Sequence, residues 1–136
     1  SLTSWLEASL PQKALVLGSG GASKAIGYAL TNLNIPYLTV SSSKNGDLSY
    51  HDLGAAIVNE HLLIVNTTPL GTAPHIDELP PFPYAHLTSN HCLYDLIYNP
   101  SETAFLKQGV KRGCIIKNGN EMLQIQAEES WKIWNP

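Results

Sequence analysis

The stretch KALVLGSGGASKAIGYAL, residues 13–30, decides the fold. A short apolar run ends at Leu17, the glycine-rich GSGGAS follows at once, and apolar residues then recur at helical spacing. A strand, a glycine turn and a helix in this order form an element that holds the pyrophosphate of a dinucleotide. Gly18 permits the tight turn, Gly20 lets the backbone approach phosphate, and the first helical turn offers N–H groups to the anion.

Length, composition and charge limit the remaining possibilities. The chain has 136 residues, 43% of them hydrophobic, which suits one packed domain. Its formal net charge of −3 and scattered basic residues argue against a nucleic-acid surface. We find neither an apolar run near the ~20 residues of a membrane span nor a signal segment. Cys92 and Cys114 are expected to be buried free thiols, which fits a cytoplasmic protein.

Predicted strands and helices alternate along nearly the whole chain. Strands are expected at 13–17, 37–41, 62–66, 92–97 and 114–117, and helices at 1–10, 22–33, 50–59, 101–108 and 119–134. Ala25 is placed on the inner face of the second helix, and Ser101 is a candidate N-cap. The proline-rich segment 67–83 cannot form a regular element. This alternation predicts a mainly parallel sheet with helices on both faces, hence an α/β fold.

The end of the second strand bears on which dinucleotide is bound. NAD-binding folds usually place a carboxylate about 20 residues after the glycines to bond the ribose 2′-hydroxyl. Here the sequence reads VSSSKN, and no acid occurs before Asp47. Hydroxyl groups and Lys44 would accept a 2′-phosphate, so the sequence favours NADP over NAD. A solvated polar turn is the alternative interpretation.

Other chemistries find little support in the sequence. The five histidines show no metal-ligand spacing, and no serine lies in a nucleophile elbow, so no metal is expected. Asp95, within a predicted strand, is interpreted as a structural acid rather than a group near the site. Tyr98 and Asn99 follow that strand and either face a ligand cleft or pack beneath the loop.

Five motifs in a fixed order resemble the NADP-binding C-terminal half of shikimate dehydrogenase. They read GSGGASKA, VSSSK, IVNTTPLG, YDLIYNPSETAFL and NGNEMLQIQAEESWKIW, and the resemblance spans residues 13–134. It implies a Rossmann-like three-layer sandwich with a mainly parallel sheet. It also implies that the full-length parent uses NADPH to reduce 3-dehydroshikimate to shikimate, in aromatic amino-acid biosynthesis.

The resemblance also implies site residues. In this chain Ser42 stands where the family has an arginine that pairs with the 2′-phosphate and stacks beside adenine, and Lys44 is the available cation nearby. Tyr98 and Gln126 match positions at the substrate, and no catalytic residue is expected in this chain. The cofactor-binding positions implied are Gly18, Ser19, Gly20, Gly21, Ala22, Ser23, Ser41, Ser42, Ser43, Lys44, Asn66, Thr67, Thr68, Pro69, Leu96, Gly119, Met122 and Leu123.

The family's proton-transfer lysine and aspartate lie in an N-terminal substrate domain, which is expected to be missing here. We therefore expect one NADP-binding domain over 1–136, with residues 1–12 as a connecting helix, that is inactive alone. Its expected partners are that substrate domain and the small-molecule substrate, without nucleic acid or membrane. Two alternatives stay open: a quinate/shikimate dehydrogenase that uses NAD, and a non-catalytic dinucleotide-binding module with a regulatory role.

Overall fold

Five parallel strands form the centre of the molecule. The computed structural model describes residues 13–72, 74–97 and 102–119. The strands lie in the order β2-β1-β3-β4-β5, and every neighbouring pair is parallel. This arrangement confirms the predicted α/β, Rossmann-like sheet. The strands are β1 (Ala14–Leu17), β2 (Tyr37–Val40), β3 (Leu63–Asn66), β4 (Cys92–Asp95) and β5 (Ile115–Lys117).

Three α-helices connect the strands of the described part of the chain. They are α1 (Gly21–Asn32), α2 (Ala55–Glu60) and α3 (Ala104–Lys111), and two short 3-10 turns occupy Tyr50–Asp52 and Tyr84–His86. The single helix predicted over 50–59 is therefore wrong. The chain is extended at Gly54, which separates a 3-10 turn from α2 and serves as the N-cap of that helix.

Side chains of β1 alternate between two hydrophobic layers, as expected for a central parallel strand. Ala14 and Val16 pack with Ile26 of α1 on one face of the sheet. Leu15 and Leu17 lie on the opposite face, in the cluster that contains Phe105 of α3. The sheet is thus covered on both faces, which makes the three layers that the sequence predicts.

Several local predictions need correction. Strand β4 ends at Asp95 rather than at 97, because the Asp95 carboxylate accepts the backbone N–H of Ile97 at 3.0 Å and draws that group out of the ladder. Helix α3 begins later than predicted, and its N-cap is Thr103 instead of Ser101: the Thr103 hydroxyl accepts the Leu106 N–H at 3.3 Å. Ala25, expected on the inner face of α1, is exposed.

Other predictions on the described residues are confirmed. No helix or strand occurs between residues 67 and 83, where all positions but 73 are described. Cys92 and Cys114 are free thiols; Cys92 is buried as expected, whereas Cys114 is half-buried. Four predictions fall outside the described residues: the connecting helix at 1–12, Tyr98, Asn99 and the closing helix beyond Gly119. Within the ranges described, no helix has the length and apolar character needed to cross a bilayer.

Candidate functional site

The site lies where the sheet reverses its strand order. From β1 the chain crosses to β2 on one side, whereas β3 pairs with β1 on the other. In parallel sheets a ligand cleft opens at such a point, beyond the carboxyl ends of the two strands. Leu17 ends β1 beside Asn66 at the end of β3, so the glycine loop and the segment that begins at Thr67 border the same cleft.

Gly18 holds the glycine loop against both neighbouring strands. Its backbone has a φ of +121°, a region that side chains rarely tolerate, and its N–H donates to the carbonyl of Val40 at 2.7 Å. A Cβ at this position would collide with Oγ1 of Thr67. The tight turn predicted at Gly18 is therefore required by both backbone geometry and packing.

The amino end of α1 is open towards the cleft. Gly20 is its N-cap, and a Cβ added at Gly20 or Gly21 would meet nothing within 4 Å. The first intrahelical bond runs from the N–H of Lys24 to the carbonyl of Gly20, so the N–H groups ahead of it have no partner within the helix. These open N–H groups and the helix dipole fit an anion such as a pyrophosphate.

Two other residues of the motif differ in their access to this anion position. Ser23 is buried, and its hydroxyl donates to the carbonyl of Gly20 at 2.7 Å. Its side chain therefore fixes the first turn of α1 and leaves only its N–H for a ligand. Ala22 is exposed, and its small side chain leaves the approach clear.

Three serine hydroxyls join the glycine loop to the turn after β2. We call Ser19, Ser41 and Ser43 the serine cluster. The Oγ atoms of Ser19 and Ser41 are 3.2 Å apart, those of Ser41 and Ser43 are 3.0 Å apart, and those of Ser19 and Ser43 are 3.4 Å apart. Ser41 is buried and Ser43 is exposed. The cluster thus offers neutral donors and acceptors between the anion position and the end of β2.

The acid of the same turn, Asp47, is hydrogen-bonded to strand β2. Oδ2 of Asp47 accepts both the backbone N–H of Thr39, at 2.9 Å, and its hydroxyl, at 3.1 Å. Ser42 and Lys44 are exposed on the turn. The turn after β2 therefore presents hydroxyls and a lysine to a ligand, while its carboxylate is bound to the strand.

The loop after β3 is fixed by hydrogen bonds to the strand ends. The N–H and hydroxyl of Thr67 both donate to the carbonyl of Leu17, at 2.9 and 2.6 Å. The N–H and hydroxyl of Thr68 both donate to Oδ1 of Asn66, at 3.0 and 2.7 Å. Pro69 follows and is exposed. This side of the cleft is therefore preorganised.

Asp95 connects that loop to helix α3. Its carboxylate is fully buried and accepts the Thr103 hydroxyl at 2.7 Å, the Ile97 N–H at 3.0 Å and the Asn66 amide at 3.3 Å. Burial raises the pKa of Asp95, and these three hydrogen bonds oppose the shift. We call these four residues the Asp95 network. The structural role expected for Asp95 agrees with these contacts.

Two further predicted cofactor residues lie near the carboxyl end of β4. The N–H of Leu96 donates to the carbonyl of Asn66 at 3.2 Å. Gly119 is buried, and its N–H donates to the carbonyl of Ile97 at 3.4 Å. Tyr98, Met122, Leu123 and Gln126 lie outside the described residues. Among the residues that the structure describes, no three potential metal ligands lie together.

The sequence does not predict one feature near this site. A cavity of about 240 Å³ lies beside the turn after β2 and is lined by Ser42, Ser49, Tyr50, His51 and Pro81. Pro81 is 39 positions from Ser42, so no local pattern reveals this juxtaposition. The available signal was weak: a histidine that follows closely on the polar turn.

Curated proteins similar to this chain are shikimate dehydrogenases. "Shikimate dehydrogenase (NADP(+))" of Desulforamulus reducens is 33% identical over 144 residues, which cover 92% of this chain and 50% of the relative. The protein of the same name from Methanococcus aeolicus is 37% identical over 135 residues, covering 88% of this chain and 48% of the relative. The chain thus spans about half the length of the curated relatives it matches.

Solved structures give the same result. Shikimate 5-dehydrogenase from Thermus thermophilus, in complex with NADP(H) and shikimate, matches with a TM-score of 0.73 and 25% identity. The match covers 98% of this chain and 54% of that one. No known protein-family model matches the chain.

Proposed function

Because this chain is homologous to the C-terminal half of shikimate dehydrogenases, we propose that it is the NADP(H)-binding domain of such an enzyme. The parent enzyme reduces the ketone of 3-dehydroshikimate to shikimate. The observation that carries the proposal is the glycine loop at the strand-order reversal, with an open helix N-terminus fixed between β2 and the Thr67 loop. This is the geometry that a dinucleotide pyrophosphate needs.

Each part of the site has a role in this proposal. Backbone N–H groups from Gly20 to Ser23 bind the pyrophosphate, and the serine cluster binds the adenosine ribose. The loop formed by Asn66, Thr67, Thr68 and Pro69 runs beside the adenosine and nicotinamide ribose. Leu96, Gly119, Met122 and Leu123 border the nicotinamide. Bound NADPH supplies the hydride, and the chain's own residues orient the cofactor and exclude water from it.

The substrate is held mainly by another domain in this proposal. Tyr98 and Gln126 contribute contacts to it from this chain, while the groups that transfer the proton come from a substrate domain. The relatives' greater length supports such a partner. This chain alone would then bind the cofactor without turning over substrate. A cytoplasmic location completes the proposal and suits the two free thiols.

NADP rather than NAD is the cofactor that we propose. The turn after β2 presents Lys44 and hydroxyls, and its Asp47 is bound to Thr39. A carboxylate facing the ribose would favour NAD and repel a 2′-phosphate. Ser42 replaces a planar, stacking guanidinium, so NADP affinity should be lower than an arginine would give. Lys44→Ala should weaken NADP binding and leave NAD binding unchanged; equal NADP affinity would remove Lys44 from the site.

A charge placed at the helix N-cap tests the proposal directly. Gly20→Asp should fold, because the side chain enters open space and aspartate is a favoured N-cap. Its charge would repel a pyrophosphate, so NADPH affinity, measured by cofactor fluorescence, should fall about tenfold or more. Gly20→Asn supplies a similar shape without the charge and should bind more tightly than Gly20→Asp.

A matched control exists at the next helix. Gly54 is also an N-cap glycine with nothing within 4 Å of an added Cβ, and it precedes α2 outside the glycine loop. Gly54→Asp should leave NADPH affinity unchanged. No binding by the unmodified chain at millimolar NADPH, or equal losses in the Gly20 and Gly54 variants, would contradict the proposal. Dehydrogenase activity of this chain alone would contradict its division of labour.

A further inference from the structure

The acids of the segment after β2 hydrogen-bond within the protein. Residues 41–54 contain two cationic or potentially cationic side chains, Lys44 and His51, and two acids, Asp47 and Asp52. Asp47 is bound twice by Thr39. Oδ2 of Asp52 likewise accepts the N–H and hydroxyl of Ser49, at 2.9 and 3.1 Å. Oδ2 of each carboxylate is thus bound within the protein, and all four charged or potentially charged side chains are exposed.

His51 also lies in a suitable place for recognising a ligand. It lines the 240 Å³ cavity together with Ser42, a neighbour in sequence of the serine cluster. The cavity therefore adjoins the carboxyl end of β2, where the adenosine side of a dinucleotide lies. Ser42 and Ser49 add hydroxyls to its wall, and Pro81 adds an uncharged surface.

We propose that His51 is a specificity-determining residue that recognises the 2′-phosphate of NADP(H) as an imidazolium, in the cavity that it shares with Ser42. This inference rests on the proposed function, because it names a second cation for the same cofactor. Histidine side chains change charge near neutral pH, so the preference for NADP over NAD should increase as the pH falls.

The titratable groups around His51 are consistent with this role. Burial raises the pKa of Tyr50 to about 12, so its hydroxyl stays neutral and can donate to an anion. Hydrogen bonds from Ser49 lower the pKa of Asp52, which stays ionised beside His51. Lys44 lies on the turn and is exposed. Ser42, Ser49 and Pro81 carry no charge.

The test compares cofactors, variants and pH. NADPH, NADH and adenosine 2′,5′-bisphosphate are titrated into this chain and into His51→Asn at about pH 6 and about pH 8, at low salt. At the lower pH the substitution should weaken NADPH and bisphosphate binding about fivefold, as expected for an exposed charge pair, and leave NADH unchanged. At the higher pH the difference should shrink. The 2′-phosphate of the ligand titrates in the same way with both proteins. The difference in affinity between the unmodified chain and His51→Asn therefore isolates the contribution of the imidazole.

Each result has a defined meaning. His75→Asn alters an imidazole that is 73% exposed and lies outside the cavity, and it should change none of these affinities. Equal NADPH affinity of the unmodified chain and His51→Asn at the lower pH would overturn the role of His51 while leaving the proposed function intact. An equal loss for NADH would also overturn it. Failure of the unmodified chain to bind any of the three compounds would overturn both proposals.

Discussion

Replacing Asp95 by asparagine should destabilise the fold measurably. The Asp95 carboxylate accepts three buried donors, from Thr103, Ile97 and Asn66, at 2.7, 3.0 and 3.3 Å. An asparagine has one acceptor oxygen. If the asparagine oxygen takes the place of Oδ2, the asparagine NH₂ group faces the Ile97 N–H. If the oxygen takes the place of Oδ1, the NH₂ group faces the Thr103 hydroxyl and the Asn66 amide. Every orientation leaves at least one donor opposite a donor.

The size of this destabilisation follows from the one donor that is left without an acceptor. One buried donor without an acceptor costs about 1–3 kcal/mol, and removal of the buried charge offsets part of this. Asp95→Asn should therefore lower the free energy of unfolding by about 1–3 kcal/mol near neutral pH. Urea unfolding followed by far-UV circular dichroism measures the change. The exposed Asp77 provides the control, since Asp77→Asn should change stability by less than about 0.5 kcal/mol.

The pH dependence of stability provides a second comparison of the unmodified chain with Asp95→Asn. Burial raises the folded pKa of Asp95 above its unfolded value. Its contribution to stability is therefore fully present below the unfolded pKa and is lost as the pH rises through the folded pKa. The stability advantage of the unmodified chain over Asp95→Asn, which cannot titrate, should shrink with rising pH in that window. A loss no larger than that of Asp77→Asn, or an advantage that grows with pH, would refute the reasoning.

Two further predictions concern fold stability. Gly18→Ala should lower the free energy of unfolding by at least about 2 kcal/mol, because the positive φ and the collision with Thr67 both oppose a side chain. Urea unfolding should show a smaller loss when Thr67 is also replaced by alanine. An equal loss with and without Thr67→Ala would exclude the collision. His91→Leu should cost about 1–3 kcal/mol in the same assay, because the imidazole accepts the Thr88 N–H at 3.0 Å and lies 2.8 Å from the Val58 carbonyl. The exposed His75→Leu is its control, and equal midpoints for the two variants would contradict a buried role for His91.

The sequence was sufficient for the elements whose signals are local. The apolar runs predict all five described strands. They are continuous in β1, β3 and β4 because every residue of these three strands is buried in the parallel sheet. The turn at Gly18 and the irregular segment 67–83 follow from the conformational limits of glycine and proline. The sequence predicts the members of the serine cluster only as separate candidate residues, not as a connected group.

Features that depend on distant partners could not be predicted in this way. Asn66 meets Asp95 across 29 positions, and that contact, with the Ile97 and Thr103 bonds, sets both the end of β4 and the start of α3. The cavity beside Ser42 forms only because the chain runs back to the end of β2 at Pro81. These arrangements arise from the packing of the sheet, which brings the ends of separate strands to one edge.

The central claim is that the glycine loop binds the pyrophosphate of NADP(H). Backbone amide shifts of the ¹⁵N-labelled chain, followed while NADPH is added, test it most directly. We expect the largest shifts at the amides from Ser19 to Ser23, with smaller ones at Thr67 and Thr68. Saturable binding that leaves the glycine-loop amides unmoved, or no binding at all, would contradict the account.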